Sequence, residues 1–130
     1  MDEPKWIIKA VVLAAHDEQL TEHGGHAGLR DDGLLESALA RPVNRYSYGE
    51  ADIFDLAAAY AYGLIKNHPF LDGNKRAWLT VSLGFLLLNG FKVTAEEAAR
   101  LPVWLSLAEG KLDEAELAQW LRTNSEAEKI

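Results

Sequence analysis

The sequence contains no cysteine, so disulfides, thiolate metal sites and cysteine nucleophiles are all excluded, and a reducing cytoplasm is the expected location. Basic residues are scarce as well. Thirteen Lys+Arg face 20 Asp+Glu, a formal charge of −7. Nonspecific nucleic-acid binding needs a basic footprint to displace counterions from phosphates, so no direct nucleic-acid partner is expected. Long hydrophobic runs are missing too. The longest uncharged stretch, Ala77 to Phe91, is 15 residues and includes Thr80, Ser82 and Asn89, whereas a bilayer span needs about 20 mostly apolar residues. Near the N-terminus the longest apolar run, Ala10 to Ala15, is too short for a signal-peptide core. No membrane association is expected. Finally, no segment alternates apolar and polar residues for long enough to predict a strand.

What remains is an all-α pattern in a single domain over residues 1–130. At 14.4 kDa and 48% apolar residues, surface scaling lets the chain bury about two-thirds of its extended surface, enough for a core without metals or cross-links. A first helix is predicted near 5–23, with Trp6, Val11 or Val12, Ala15 and Leu20 facing a core. It stops at Gly24-Gly25. The second starts after the capping pair Asp31-Asp32 and ends before Pro42. Residues 41–51, with Pro42, Asn44, Ser47 and Gly49, read as a loop or short flap that puts Tyr46 and Tyr48 on one side if extended. A third helix runs from about Asp52 to Asn67 on the stripe Phe54, Ala58, Ala61, Ile65, and ends near His68 because Pro69 follows. The fourth, about 74–89, is apolar on nearly every face and is predicted to be the central, buried helix. Thr94 with Glu97 and Asp113 with Glu116 match capping boxes opening helices at 95–108 and 114–123, the former broken or kinked by Pro102. Residues 124–130 are expected to fray.

Charge is unevenly spread. Residues 41–76 carry Arg41, Arg45, Lys66, Lys75 and Arg76 against Glu50, Asp52, Asp55 and Asp72, a net +1 that leaves −8 for the rest. The most informative part is His68-Pro69-Phe70-Leu71-Asp72-Gly73-Asn74-Lys75-Arg76, a tight loop feeding the fourth helix. A helix N-terminus carries about half a positive charge, and cations placed there cost roughly 0.3–1 kcal/mol each. Lys75 and Arg76 therefore stand at the unfavourable end. Two cations, unpaired helix N–H groups and a turn-making Gly73 concentrate positive potential at one spot, which is how anion sites are built. A phosphate chain is the simplest partner. Asp72 suits a Mg²⁺ bridging phosphate oxygens, and His68 suits a proton acceptor near neutral pH. Taken singly, Asp72 is equally an N-cap, His68 a C-terminal dipole partner, and Asn74 a turn residue. Those readings leave Lys75-Arg76 unexplained. Phe70 anchors the loop on the core and Pro69 stiffens it. A Walker loop is absent.

The segment HPFLDGNKR resembles the signature of the Fic superfamily, H-P-F-x-[DE]-G-N-G-R-x-x-R, in the variant of its death-on-curing (Doc) branch. The likeness extends over about residues 10–123, through GLRDDGLLESALARP, ADIFDLAAAYAYGLIKNH and the apolar helix ending at Asn89-Gly90. The resemblance implies a compact bundle of about six helices, with the signature loop between two central ones, and transfer of a phosphate-containing group from a nucleotide to a protein hydroxyl. By position, His68 would be the general base, Phe70 the anchor, Asp72 the Mg²⁺ ligand, and Gly73, Asn74, Lys75 and Arg76 the phosphate-binding residues. Doc-type proteins resemble kinases: with ATP and Mg²⁺ they phosphorylate a threonine of elongation factor Tu and stop translation, and they pair with an antitoxin whose C-terminal segment docks on the toxin. Two departures from the wider pattern matter. Lys75 replaces a second Gly and Leu79 a second Arg found in AMP-transferring members. A Lys side chain fills space that Gly leaves open to phosphates and brings a point charge. Phosphoryl transfer from a reversed triphosphate is therefore expected. AMP transfer and a catalytically silent binding module are the alternatives.

Other features carry less. Arg41, Arg45, Tyr46 and Tyr48 occupy a position resembling the flap that docks target peptides in Fic proteins, or else form an ordinary surface loop. His23 and His26 lack further ligands for a metal. His16 beside Asp17 reads as a solvated pair. Trp6, Trp78, Trp104 and Trp120 are expected in the core or at its rim. Lys66 reads as a helix-end dipole partner or a helper at the phosphate site.

Overall fold

The computed structural model describes residues 2–24, 28–69 and 74–128, except the side chains of Gln19, His23 and residues 74–77. The described residues form six helices, α1 (Lys9–His23), α2 (Asp32–Ser47), α3 (Ile53–Asn67), α4 (Asn74–Leu88), α5 (Glu97–Ala108) and α6 (Glu114–Thr123). Two short strands, β1 (Phe91–Val93) and β2 (Ser125–Ala127), pair antiparallel. The fold is all-α, as the sequence predicts. No described helix is long and apolar enough to cross a membrane.

α3 is the most enclosed element. It packs against α2, α4 and α6, and every residue from Leu56 to Ala61 is buried. Its small residues permit this, because alanines let neighbouring backbones approach on all sides. The start of α3 is capped twice over: Asp52 accepts from the Phe54 and Asp55 amides, and the Asp55 carboxylate accepts from the Asp52 amide. α4 buries Trp78, Val81, Phe85 and Leu86, but Leu87 and Leu88 at its end are exposed. Central position is thus shared between α3 and α4, with α3 the more enclosed.

The expected flap does not form. α2 continues through Pro42 to Ser47, and the chain turns only at Gly49 (φ 81°) and Glu50 (φ 57°). Proline in a helix removes the amide that would bond the carbonyl four residues back, here that of Ala38. α3 presents Gly63 to that same carbonyl: a Cβ on Gly63 would lie 3.0 Å from the Ala38 oxygen and 3.2 Å from its Cα. The close helix crossing thus coincides with the interruption, and Pro42 is itself buried. Within a helix, residues two apart point about 200° away from each other, so Tyr46 and Tyr48 cannot share a side. Tyr46 packs edge-on against Trp6 at 5.7 Å, while Tyr48 is 88% exposed.

The first helix starts at Lys9 rather than near residue 5, because the preceding backbone is engaged elsewhere. The Asn89 side chain accepts from the Lys5 amide (2.8 Å) and donates to the Lys5 carbonyl (2.9 Å), and the Ile7 amide donates to the Tyr60 hydroxyl (3.0 Å). Trp6, between them, stacks on Phe85. Burial pushes the Tyr60 phenol up to about 12. Val12 is buried and Val11 exposed, which resolves that alternative. His16 is buried rather than solvated, since it lies on the same inward face as Val12 one turn away.

Two further expectations change at the C-terminal end. Thr94 does not cap α5: its amide and hydroxyl both donate to the Asn124 carbonyl, and α5 begins after Glu96 with no side-chain cap. The stretch expected to fray from residue 124 instead supplies β2, in register Phe91↔Ala127 and Val93↔Ser125, with Glu128 donating to the Gly90 carbonyl. The capping box at Asp113 and Glu116 is present. α5 runs unbroken through Pro102. Trp78, Trp104 and Trp120 form an edge-to-face chain with centroids 5.1 and 5.7 Å apart.

Candidate functional site

The signature segment joins the C-terminus of α3 to the N-terminus of α4. Phe70, Leu71, Asp72 and Gly73 lie outside the described residues, as do the side chains of Asn74, Lys75 and Arg76; His26 and the His23 side chain do too. The structure describes both ends of the segment. At the first, α3 stops at Asn67 and His68 takes a left-handed conformation, φ 46° and ψ 58°. The ring of Pro69 disfavours the right-handed helical region for its predecessor, and an L-residue in the left-handed region costs roughly 1–2 kcal/mol. The His68 amide still donates to the Leu64 carbonyl at 3.1 Å. Its side chain is exposed while Pro69 is buried. The segment is therefore held at Pro69 and leaves His68 exposed to solvent.

What holds this bend was not legible in the sequence. The Arg30 side chain donates from Nε to the His68 carbonyl and from its terminal nitrogen to the Asn67 carbonyl, each at 2.7 Å. The backbone amides of Arg30 and Asp31 both donate to the Pro69 carbonyl, at 2.6 and 3.1 Å. Asn67 returns the contact by donating to the Leu34 carbonyl at 2.9 Å. The N-terminal end of α2 thus lies against the C-terminal end of α3, and a cation sits where the helix dipole favours one. Arg30 acts across 37 and 38 residues, a separation that no local periodicity reports.

At the far end, α4 begins at Asn74, as its sequence predicts, with no acidic residue in its first turn. The first-turn amides of any α-helix lack intrahelical acceptors. Here Lys75 and Arg76 stand in that turn. A first turn with two cations and no acidic residue suits a phosphate chain. The residue suited to a Mg²⁺ ion, Asp72, is outside the described residues, and no cluster of three or more His, Asp or Glu suited to a metal occurs among the described ones. One turn into α4, Leu79 is packed against the core, so the position carrying a second Arg in AMP-transferring proteins is here an apolar contact.

Of the remaining sequence candidates, Arg41 is turned to α6. It pairs with Glu114 at 2.7 Å, and its guanidinium carbon lies 4.7 Å from the Tyr62 ring centre. The Lys66 ammonium lies 5.3 Å from the same ring, in the last turn of α3. It lines a cleft of about 320 Å³ between α3 and the α5–α6 turn. Arg45 donates to the Gly49 carbonyl and closes the turn in which Tyr48 is exposed. The four residues grouped as a docking flap are thus dispersed: Arg41 toward α6, Tyr46 toward Trp6, Arg45 and Tyr48 at the α2–α3 turn.

Comparison with known proteins agrees with this geometry. The model of the Fic/DOC family matches residues 6–86, which span α1 to most of α4. Among curated proteins, the chain is 34% identical over 113 residues to "Protein kinase doc" of Escherichia phage P1, covering 85% of this chain and 88% of that protein. It is 39% identical over 75 residues to "Toxin Doc" of Mycolicibacterium smegmatis, covering 56% of this chain and 58% of that one. With its helical fold, its exposed His68 before a buried Pro69 and its cationic opening of α4, this chain belongs to the Fic/DOC family.

Proposed function

We propose that this protein is a Doc-type toxin that transfers a phosphoryl group from ATP to a hydroxyl of a target protein. By family resemblance the acceptor is a threonine of elongation factor Tu and the outcome is arrest of translation in the cytoplasm. The observation that carries the reading is the pair Lys75-Arg76 in the acid-free first turn of α4, directly after the loop that begins at the exposed His68. Backbone amides of that turn and the two cations bind the phosphates and neutralise charge developing on the transferred group. By the family resemblance Gly73 and Asn74 would complete the cradle, Asp72 would hold Mg²⁺, and Phe70 would anchor the loop beside Pro69, which is buried. Mg²⁺, when bound, shields the phosphate oxygens. His68 accepts the hydroxyl proton as the acceptor oxygen bonds to the γ-phosphorus and the bond to the β-phosphate oxygen breaks, releasing ADP. Lys75 in place of Gly, and Leu79 packed where a guanidinium would be needed, support γ- rather than α-phosphoryl transfer.

The same reading gives the protein a cognate antitoxin whose C-terminal segment docks near the site. A docking role at the α2–α3 turn falls to Arg45 and Tyr48. To test the chemistry, the protein and its His68→Ala variant are incubated with elongation factor Tu and ATP labelled at the α or γ phosphate, with intact-mass analysis of the target. Label from γ and a mass gain of one phosphate, both lost in His68→Ala, are expected. Label from α alone refutes the kinase reading in favour of AMP transfer. No label, with normal growth on expression of either form, identifies a silent binding module.

A further inference from the structure

We infer that Arg30 is a positioning residue for the reaction, acting through His68 without touching substrate. The inference rests on the reading of His68 as the proton acceptor. Three successive carbonyls, those of Asn67, His68 and Pro69, all point to Arg30: two accept from its guanidinium and the third from its own amide and that of Asp31. The peptide planes on both sides of His68 are therefore fixed from one residue. These planes define the backbone of a residue held at φ 46°, a conformation that persists only where surrounding contacts over-determine it. Rotation of either plane would swing the exposed imidazole away from where the loop presents it. A guanidinium suits the task because it is planar, and its donors, oriented in a fixed fork, reach two adjacent carbonyls at once. A lysine ammonium is a single flexible point and cannot reproduce the fork. The Asp31 carboxylate caps α2 by accepting from the Leu34 amide, while the Arg30 guanidinium bonds the Asn67 and His68 carbonyls.

The test compares the full chain with Arg30→Ala and Arg30→Lys in two readouts. In phosphoryl transfer, Arg30→Ala should lower kcat by about 10- to 100-fold while KM for ATP changes by less than about twofold, the signature of misplacement rather than lost binding. Arg30→Lys should recover only part of that loss. In parallel, the His68 imidazole and amide resonances should shift in both variants, and the Arg30 and Asp31 positions should lose amide protection, while the amides of α3 around Leu56 to Ala61 stay protected. A wild-type kcat with unmoved His68 resonances in either variant overturns the inference. If the unaltered protein transfers no phosphoryl group, the proposed function fails and the resonances alone decide: unmoved, they reject a role for Arg30 in placing His68, and shifted, they uphold it. Should Arg30→Ala lose its helical circular dichroism, Arg30→Lys, which keeps charge and aliphatic stem, carries the same comparison.

Discussion

Substituting alanine at two helical glycines should act in opposite directions, and the difference measures how closely α2 and α3 approach. Gly63 and Gly84 both lie inside helices. In an open helical site Gly→Ala stabilises by up to about 1 kcal/mol, because alanine loses less backbone entropy on folding. Gly84 is such a site, with nothing within 4 Å of an added Cβ. At Gly63 the added carbon would meet the Ala38 oxygen at 3.0 Å, the Ala38 Cα at 3.2 Å and the Arg41 Cδ at 3.3 Å. The Arg41 side chain can give way. The Ala38 backbone cannot without moving α2, whose own carbonyl bond is already missing opposite Pro42. Overpacking of this kind costs about 1–3 kcal/mol. The propensity gain is common to both variants and cancels between them, so Gly63→Ala should be less stable than Gly84→Ala by about 1–3 kcal/mol. For a domain of this size that corresponds to roughly 4–12 °C in Tm. Reversible thermal and urea unfolding, followed by circular dichroism, reads the difference. Equal melting temperatures for the two variants, or a higher one for Gly63→Ala, would refute the close approach.

The remaining predictions concern the site and its supports. His68→Gly should melt no lower than the unaltered protein, since glycine adopts φ 46° without the roughly 1–2 kcal/mol penalty, while phosphoryl transfer falls about 10²–10⁴-fold with loss of the base; a parallel fall in both would mean the bend depends on the imidazole. Asp52 couples stability to pH. Burial acts to raise its pKa, but hydrogen bonds from Arg122 and the Asp55 amide and the Arg122 charge outweigh it, holding the carboxyl below the ordinary 3.8. A carboxyl depressed by folding stabilises above its unfolded value and loses that contribution as pH falls through the folded one. Asp52→Ala should therefore cost about 1–2 kcal/mol at pH 7, a deficit that shrinks below pH 3.8 in urea titrations and stays constant only if the charge of the carboxylate contributes nothing. Asn89→Ala removes both hydrogen bonds to Lys5; hydrogen exchange at Lys5 and Ile7 should accelerate about tenfold or more, at a cost of about 1–2 kcal/mol, and unchanged exchange would show that Trp6 and the Ile7–Tyr60 bond hold the segment without Asn89.

Several features could be read from residue order because their causes are local. The capping carboxylates at Asp31 and Asp113, the stop at His68-Pro69 and the start of α4 at Asn74 each depend on a few neighbouring residues, and the all-α class follows from periodicity and the lack of alternation. The cations in the first turn of α4 were also visible in the sequence, since their anomaly is one of position within a helix. Tertiary structure decided the rest. Whether Pro42 ends a helix depends on whether a neighbour can accommodate the freed Ala38 carbonyl, and Gly63 of α3 does so. Residues 5–7 read as helix, yet their amides and carbonyls bond to Asn89 and Tyr60. Residues 125–127 lack any strand pattern of their own and become a strand only because β1 offers an edge. The bend at His68 is held from Arg30, 38 residues away. In each case the deciding partner is distant along the chain, and backbone hydrogen bonds go to whichever donor or acceptor the packed helices bring within reach.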